Sequence, residues 1–184
     1  MLKSPENLGI IHFIGIGGIG MSGIAEILWQ SGYYVQGSDL NHSNNTTRLE
    51  KLGIKVYIGQ KKSNIVDAKI IVVSTAISEK NEEFIAAKKM FLPIVHRSEM
   101  LGELMRLKQS IAIAGTHGKT TTTSLIAKMI EENGMDPTII NGGIISSLDS
   151  NARLGNGEWM VVEADESDGS FSKLNPTAAV ITNI

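Results

Sequence analysis

The sequence predicts an α/β fold in which a parallel-sheet domain is followed by the beginning of a second α/β domain. Apolar, β-branched segments alternate with segments of helical periodicity, which indicates parallel strands covered by helices on both faces. The alternation starts again near residue 108. In both halves the first strand runs into a glycine turn that opens a helix, so the same strand–turn–helix unit occurs twice.

The composition narrows the function classes before any motif is considered. Of the 184 residues, 42% are hydrophobic and 20% are charged, as in ordinary soluble domains. A net charge of −2 and an aromatic content of 5% disfavour a nucleic-acid partner. The absence of cysteine excludes disulfides, thiolate catalysis and cysteine-ligated metals. Because no apolar run is long enough to span a membrane and no cleavage site follows the first residues, we expect a cytoplasmic protein without membrane insertion.

The first half alternates strands and helices. Segment 9–14 is apolar and predicts a strand, and the apolar positions after the glycine turn predict a helix that stops at Gly32. Segment 33–39 predicts the second strand. Further strands are predicted at 55–59, 68–75 and 92–95, and further helices at 44–52, 80–90 and 97–107.

The second half repeats the pattern after a boundary near residues 106–109. This boundary predicts two domains, 1–107 and 108–184. The expected elements are a strand at 110–115, a helix from Lys119 to Glu132, and strands at 159–165 and 178–184. Residues 141–143 predict a turn that could equally be a substrate loop. Because the chain stops in or just after a strand with no covering helix, we expect a fragment of a longer protein, with open sheet edges that favour self-association.

The first glycine turn, GIGGIG at 15–20, has the spacing G-x-G-x-x-G and lies between a strand and a helix. Asp39 ends the next strand, about twenty residues on, as in the dinucleotide-binding fingerprint of Rossmann-like domains. The pattern alone indicates NAD, with Asp39 on the adenosine ribose. Any ligand with a pyrophosphate and a ribose fits equally, including a nucleoside-diphosphate sugar. The alternative is that the glycines serve only close strand–helix packing.

The second turn, GTHGKT at 115–120, resembles a phosphate loop but is shortened. The usual pattern places a glycine five residues before the Gly-Lys pair, where this chain has Ile113. Gly115 and Gly118 still allow a tight turn before a helix N-terminus, which favours an anion. Lys119 can then reach the β and γ phosphates, and the Thr120 hydroxyl can ligate magnesium. The alternative is a glycine turn that precedes an ordinary helix.

The acidic run EADESDG begins at Glu163, where a predicted strand ends. Magnesium needs only one or two protein oxygens beside phosphates and waters, so Glu163 is the first candidate to join Thr120. A solvated acidic loop is the alternative, and it is equally favoured for Asp165, Glu166 and Asp168.

The histidines are weaker candidates. His12 lies in an apolar strand, where a hydrogen-bonded core histidine is expected. His96 and Arg97 follow a short strand and face either the substrate or a structural partner. His117 is near the phosphate site by position alone.

Several segments together resemble the Mur ligases of peptidoglycan synthesis, in the order of that family and over essentially the whole chain. They are HFIGIGGIGMSGIAEIL, GSD, VVSTAI, VHRSEMLGELM, AGTHGKTTTTSLI, NGG, EADESDGSF and NPTAAVITNI. The short GTHGKT loop is typical of this family, and EADESDGSF favours its alanine-adding branch. The resemblance implies three domains, of which this chain contains the first and the beginning of the second, an ATPase of the P-loop type, but not the third.

The resemblance also implies a reaction and its site residues. ATP, with Mg²⁺, would activate the carboxylate of UDP-N-acetylmuramate as an acyl phosphate, which L-alanine then attacks. Lys119, Thr120 and Glu163 would be catalytic, and the last two would hold the metal. ATP would be bound by Gly115, Thr116, His117, Gly118, Lys119, Thr120 and Thr121. The UDP-sugar would be bound by Gly15, Gly17, Gly18, Gly20, Ser38, Asp39, His96 and Arg97.

Two other classes of function compete with this interpretation. One is an NAD-dependent oxidoreductase module joined to an NTPase, and the other is a non-catalytic nucleotide-binding module. The second phosphate loop argues against the oxidoreductase, because hydride transfer does not require it.

Overall fold

A computed structural model describes residues 5–145, 150–164 and 174–183 of the chain. The chain divides into two compact units, Met1–Met100 and Leu101–Ile184, which are described separately. The division falls inside a helix, Arg97–Met105, and the domain boundary expected after residue 107 stays a prediction. No helix in the described ranges is both long and apolar enough to cross a bilayer.

The first unit is a five-stranded sheet in which all neighbouring strands are parallel. Its strands are β1 (Ile10–Ile14), β2 (Val35–Asp39), β3 (Lys55–Ile58), β4 (Ala68–Val73) and β5 (Ile94–His96), in the order β3-β2-β1-β4-β5. Its helices are α1 (Pro5–Leu8), α2 (Ile19–Gln30), α3 (Asn44–Lys51) and α4 (Glu82–Lys89), with a 3-10 helix at Lys62–Ile65, and α5 (Arg97–Met105) follows β5. The predicted α/β, Rossmann-like class is confirmed. The strand order reverses between β1 and β4, where such folds bind ligands.

Hydrophobic burial explains the central elements of this unit. Three side chains of β1, Ile11, Phe13 and Ile14, are fully buried. Helix α2 is buried on all sides from Met21 to Leu28, and it ends at Gln30 because Gly32 adopts a positive φ of 88°. Both strand and helix therefore begin and end close to the predicted positions.

A buried polar network lies in the same core, around the carboxylate of Glu83. Its Oε2 accepts hydrogen bonds from Ser38 Oγ at 2.5 Å and from His12 Nε2 at 3.3 Å, and its Oε1 accepts from Asn64 Nδ2 at 2.6 Å. The Gln36 amide nitrogen, 3.2 Å from His12 Nδ1, can only donate, so Nδ1 accepts and Nε2 carries the proton. The expectation that His12 is a hydrogen-bonded core histidine is confirmed.

The described residues of the second unit also form a five-stranded sheet, with an antiparallel edge. It contains β6 (Gln109–Ala114), α6 (Lys119–Glu132), β7 (Thr138–Ile145), β8 (Ser150–Arg153), β9 (Trp159–Glu163) and β10 (Ala178–Ile181), in the strand order β10-β6-β9-β7-β8. Strand β8 pairs antiparallel with β7, and the other pairs are parallel. The predicted turn at 141–143 is wrong, because β7 runs through Asn141, Gly142 and Gly143.

Polar contacts hold the loop between β8 and β9. Lys108 Nζ donates to the carbonyl oxygens of Gly155 and Gly157, each at 2.6 Å, and burial lowers the pKa of this amine. The Asp136 carboxylate accepts from the Asn156 backbone N–H at 2.8 Å, and this bond lowers the pKa of Asp136; burial opposes the shift and Arg153, 3.4 Å away, adds to it.

Replacement of Asp136 by asparagine should reduce stability at neutral pH and remove part of its acid dependence. Because the pKa of Asp136 is lower in the folded state, its charge stabilises the fold above the unfolded pKa, about 3.9. That contribution is lost as the pH falls through the folded pKa. The fluorescence of Trp159 in a Trp29→Phe background reports urea unfolding of this unit. We expect the urea midpoints of the unsubstituted chain and of the Asp136→Asn variant to converge as the pH falls below about 4. A difference between these midpoints that does not depend on pH would contradict a stabilising charge on Asp136.

Candidate functional site

The glycine turn of the first unit is bonded to the end of β2. Gly15 has a φ of 81°, which side-chain-bearing residues rarely adopt. The backbone N–H groups of Gly15 and Ile16 both donate to the Ser38 carbonyl, at 2.8 and 2.9 Å, and Gly18 N–H donates to the Gly15 carbonyl at 3.1 Å. These hydrogen bonds define the shape of the turn.

Gly17 is the point of closest approach in this turn. Its N–H donates to Asp39 Oδ2 at 2.9 Å, and its carbonyl accepts from Asn45 Nδ2 at 2.8 Å. A Cβ at this position would lie 2.9 Å from both Asp39 Oδ2 and Thr46 Cγ2. The site therefore requires glycine, and the predicted ribose ligand Asp39 also holds the turn itself.

A cleft of about 370 Å³ opens beside this turn. Gly15, Gly17, Gly18 and Asp39 are predicted residues that line it. The sequence interpretation assigned no role to the other lining residues, which are Met21, Asn41, His42, Ser43, Ser74, Ala76 and Ile77. Apart from Met21, these follow the carboxyl ends of β2 and β4, where ligands of open parallel sheets bind, so the predicted strand ends could have identified them.

Four predicted UDP-sugar residues are not among those that line the cleft: Gly20, Ser38, His96 and Arg97. The Ser38 hydroxyl is buried and donates to Glu83, and the Ser38 carbonyl supports the turn, so contact between Ser38 and the ligand stays a prediction. Successive strand residues face opposite sides, which separates Ser38 from Asp39. A Cβ on Gly20 would lie 2.7 Å from Arg97 Nη1, so these two residues are neighbours. His96 Nδ1 lies 2.7 Å from Ser98 Oγ.

The phosphate loop of the second unit connects β6 to α6. Gly115 and Gly118 have φ values of 128° and 81°, so both positions of the loop require glycine. Gly118 is the N-cap residue, and α6 extends from Lys119 to Glu132 as predicted. Lys119 Nζ donates to the Gly115 carbonyl at 2.6 Å, across the mouth of the loop. Thr116, His117, Gly118, Thr120 and Thr121 are exposed.

The two predicted metal ligands lie together beside this loop. Thr120 Oγ1 is 2.9 Å from Glu163 Oε2, which also accepts the Gly142 N–H at 2.9 Å. The parallel register that pairs Ile113 with Glu163 brings them to the same end of the sheet. Adjacent ligands of octahedral Mg²⁺ are about 3.0 Å apart when each bond is about 2.1 Å, so the two oxygens fit this ion.

The rest of the acidic run cannot be placed in the same way. Asp165, Glu166 and Asp168 lie outside the described residues. Within the described ranges, no group of three or more histidine or acidic side chains could hold a metal. The pair formed by Thr120 and Glu163 is therefore the candidate, which is enough for a metal that keeps phosphate and water ligands.

Strand β7 contributes residues to this site at positions 141–143, for which the sequence indicated a turn or, equally, a substrate loop. A Cβ on Gly142 would lie 2.6 Å from Glu163 Oε1, so glycine allows the carboxylate to approach the strand. Asn141 is buried, and its Nδ2 donates to Ser124 Oγ at 3.2 Å. A glycine pair inside a strand is the available sequence indication of such a close approach.

Comparison with known proteins relates both glycine turns to one family. The family model described as "Mur ligase family, catalytic domain" matches residues 10–109, and "Mur ligase middle domain" matches residues 113–184. The UDP-N-acetylmuramate–L-alanine ligases of Parvibaculum lavamentivorans and Sinorhizobium fredii are 62% and 60% identical to the chain over all of its length. The chain spans only 38% and 39% of the length of these relatives.

Solved structures share the fold. The UDP-N-acetylmuramate–alanine ligase of Thermotoga maritima has a TM-score of 0.89 at 35% identity, covering 95% of this chain and 41% of that one. The UDP-N-acetylmuramate:L-alanyl-γ-D-glutamyl-meso-diaminopimelate ligase of Neisseria meningitides has a TM-score of 0.88 at 31% identity, covering 96% of this chain and 60% of that one. The resemblance predicted from the motifs is thereby confirmed, and the chain belongs to the Mur ligase family.

Proposed function

We propose that this chain is the UDP-sugar- and ATP-binding part of a ligase that joins L-alanine to the carboxylate of UDP-N-acetylmuramate in peptidoglycan synthesis. The observation that carries the proposal is the presence of two separate glycine turns, one in each unit, each of which opens a helix. A ligase that holds a UDP-sugar and ATP at once needs two such turns. The identity of 59–62% to UDP-N-acetylmuramate–L-alanine ligases supports these substrates.

In the first unit, we assign the UDP diphosphate to the turn formed by Gly15, Gly17 and Gly18, and the uridine ribose to Asp39. The close approach at Gly17 supports this assignment, because the diphosphate needs bare backbone. His42, Ser43 and Ser74 offer further polar groups in the same cleft. The assignment of His96 and Arg97 to the sugar end stays a prediction.

In the second unit, we assign ATP to the loop and first helical turn. Lys119 would contact the β and γ phosphates, and Thr120 and Glu163 would hold Mg²⁺, whose charge would offset that of the phosphates. The separation of 2.9 Å between the two oxygens supports this assignment. The remaining proposed contacts to ATP are Gly115, Thr116, His117, Gly118 and Thr121.

The proposed reaction, placed in the cytoplasm, has two steps. A muramyl carboxylate oxygen attacks the γ phosphorus of ATP, ADP leaves, and an acyl phosphate forms. The amine of L-alanine then attacks the acyl carbon, phosphate leaves with the electron pair of the broken C–O bond, and the nitrogen loses a proton to give the amide. Both reactants of the first step are anions, so the barrier is largely electrostatic. The Lys119 ammonium and the N-terminus of α6 offset this repulsion.

Calorimetric titration of the chain with UDP-N-acetylmuramate, with NAD in parallel, tests the proposal. We expect saturable binding of the UDP-sugar only. Gly17→Ala should abolish it, because the added Cβ would lie 2.9 Å from Asp39 Oδ2. Gly143→Ala is the control, since its Cβ would have no heavy atom closer than 3.6 Å. Binding of NAD alone would favour an oxidoreductase module, and binding of neither ligand would reject the assignment of the first cleft.

A further inference from the structure

The end of strand β10 lies directly beside the phosphate loop. Strands β10 and β6 pair in parallel up to Ile181 and Ala114, and Thr182 N–H continues the pairing by donating to the Ala114 carbonyl at 2.9 Å. The next residues of β6 form the loop, so the side chains that follow β10 reach it. A Cβ on Gly115 would collide with Thr182 Oγ1, which shows how closely the two segments approach.

The side chains of two residues after β10 form hydrogen bonds with both the N–H and the carbonyl of His117. Thr182 Oγ1 and Asn183 Nδ2 donate to the His117 carbonyl, at 2.6 and 3.0 Å. Asn183 Oδ1 accepts the His117 N–H at 3.0 Å. The Asn183 amide therefore makes a reciprocal pair with a backbone amide, as a neighbouring strand would. These three hydrogen bonds hold the backbone of His117, although the residue as a whole is exposed.

This arrangement sets the direction of the next peptide group. In a trans peptide, the carbonyl and the following N–H point in opposite directions. Because the His117 carbonyl points to Thr182 and Asn183, the Gly118 N–H points away from them. Gly118 is the N-cap of α6, so this N–H joins the unsatisfied amides of the first helical turn, which together attract anions.

We propose that Thr182 and Asn183 are positioning residues for the phosphate loop. They fix the His117 peptide so that the Gly118 N–H and the first amides of α6 face the phosphates of the nucleotide. The inference rests on the proposed binding of ATP and gives His117 a role through its backbone. Neither residue touches the nucleotide in this proposal, so both act through the loop.

The test compares two threonines at opposite ends of the same strand pair. Thr182→Val keeps the shape and removes the hydroxyl donor, and Thr182→Ser restores that donor. Thr177→Val is the matched control, because the Thr177 hydroxyl accepts the Ser110 N–H at 3.1 Å, at the end of β6 remote from the loop. Asn183→Asp keeps the acceptor for His117 N–H but loses the donor and adds a negative charge.

Calorimetry of the 184-residue chain gives Kd for Mg·ATP and, as an internal reference, for UDP-N-acetylmuramate. We expect Thr182→Val to raise Kd for Mg·ATP roughly tenfold, and Asn183→Asp to raise it further. Thr182→Ser and Thr177→Val should stay within about twofold of the unsubstituted chain. The Kd for the UDP-sugar should not change in any variant.

The outcomes separate the inference from the function on which it rests. If the unsubstituted chain binds Mg·ATP and Thr182→Val binds it equally well, the positioning role is rejected and the nucleotide assignment stands. If Thr177→Val weakens binding as much as Thr182→Val, the effect belongs to strand pairing, and the positioning role is again rejected. If the unsubstituted chain binds no Mg·ATP, the proposed nucleotide site and the inference both fail.

Discussion

Replacement of Lys119 by alanine is expected to reduce ATP-dependent turnover of a full-length ligase by at least about 10²- to 10³-fold, the usual cost of losing one preorganised charge-stabilising group. Its ammonium group lies at the mouth of the phosphate loop, 2.6 Å from the Gly115 carbonyl. A nucleotide phosphate placed there would exchange this neutral acceptor for a charged one, which makes a stronger bond. The alanine variant leaves the negative charge of the first reaction step without its nearest side-chain cation.

Release of phosphate, dependent on both UDP-N-acetylmuramate and L-alanine, is the measurement for this variant. Lys128→Ala on the same helix is the matched control, because Lys128 is exposed and, among the described residues, forms ion pairs only with Glu131 and Glu132. Turnover of the Lys119 variant within about tenfold of the unsubstituted enzyme would contradict the assigned role, since such a loss is too small for a group that stabilises the transition state.

Replacement of Glu83 by alanine is expected to destabilise the first unit by about 3–5 kcal/mol, because it leaves buried hydrogen-bond donors without their acceptor and creates a cavity. The carboxylate accepts hydrogen bonds from three buried side chains, His12, Ser38 and Asn64. The buried His12 and Ser38 donors would lose their acceptor, Asn64 Nδ2 would keep only its hydrogen bond to the Gly59 carbonyl, and the loss of volume would add a cavity.

Urea unfolding measures this effect. The fluorescence of Trp29, in a Trp159→Phe background, reports the first unit alone because Trp29 lies in α2. Glu82→Ala is the matched control, since Glu82 is the preceding residue of the same helix and is exposed. Equal midpoints for the Glu83 and Glu82 variants would show that the network does not stabilise the fold.

The elements that the sequence predicted best are those with strong local determinants. Helix α6 has the predicted bounds because Gly118 begins it and Asn133-Gly134 ends it. Strand β1 is apolar except for His12 and passes into a glycine turn, so the sequence predicts it equally well. The glycine spacing and the Gly-Lys-Thr sequence likewise predict both glycine turns, because each pattern depends only on a few consecutive residues.

The elements that were missed depend on contacts distant in the sequence. Strand β7 contains Gly142 and Gly143, which locally favour a turn, yet both lie inside a strand whose residues on either side pair with β8 and whose first residues pair with β9. The direction of the Ser38 side chain depends on Glu83, which lies 45 residues away. No periodicity in the sequence indicates either contact.

The candidate site of the second unit shows the same difference between local determinants and contacts distant in the sequence. The sequence predicts that Thr120 and Glu163 lie together, because the ends of parallel strands meet at one sheet edge. The hydrogen bonds of Thr182 and Asn183 to His117 were not foreseen, because they require that β10 lies next to β6. Strands β6 and β10 are more than sixty residues apart in the sequence. The predicted strand at 159–165 lies between them, so their adjacency in the sheet does not follow from the order of the strands.

The distance along the chain between the phosphate loop and β10 has a consequence for synthesis on the ribosome. The first glycine turn is bonded to Ser38 and Asp39, so every residue that shapes it has been translated early. The second turn is bonded to residues 65 and 66 positions further on. Domains fold as units during translation, with the N-terminal one first. The nascent chain is therefore expected to form the cleft of the first glycine turn while the second turn still lacks its supporting strand, so that the two proposed sites mature in sequence order.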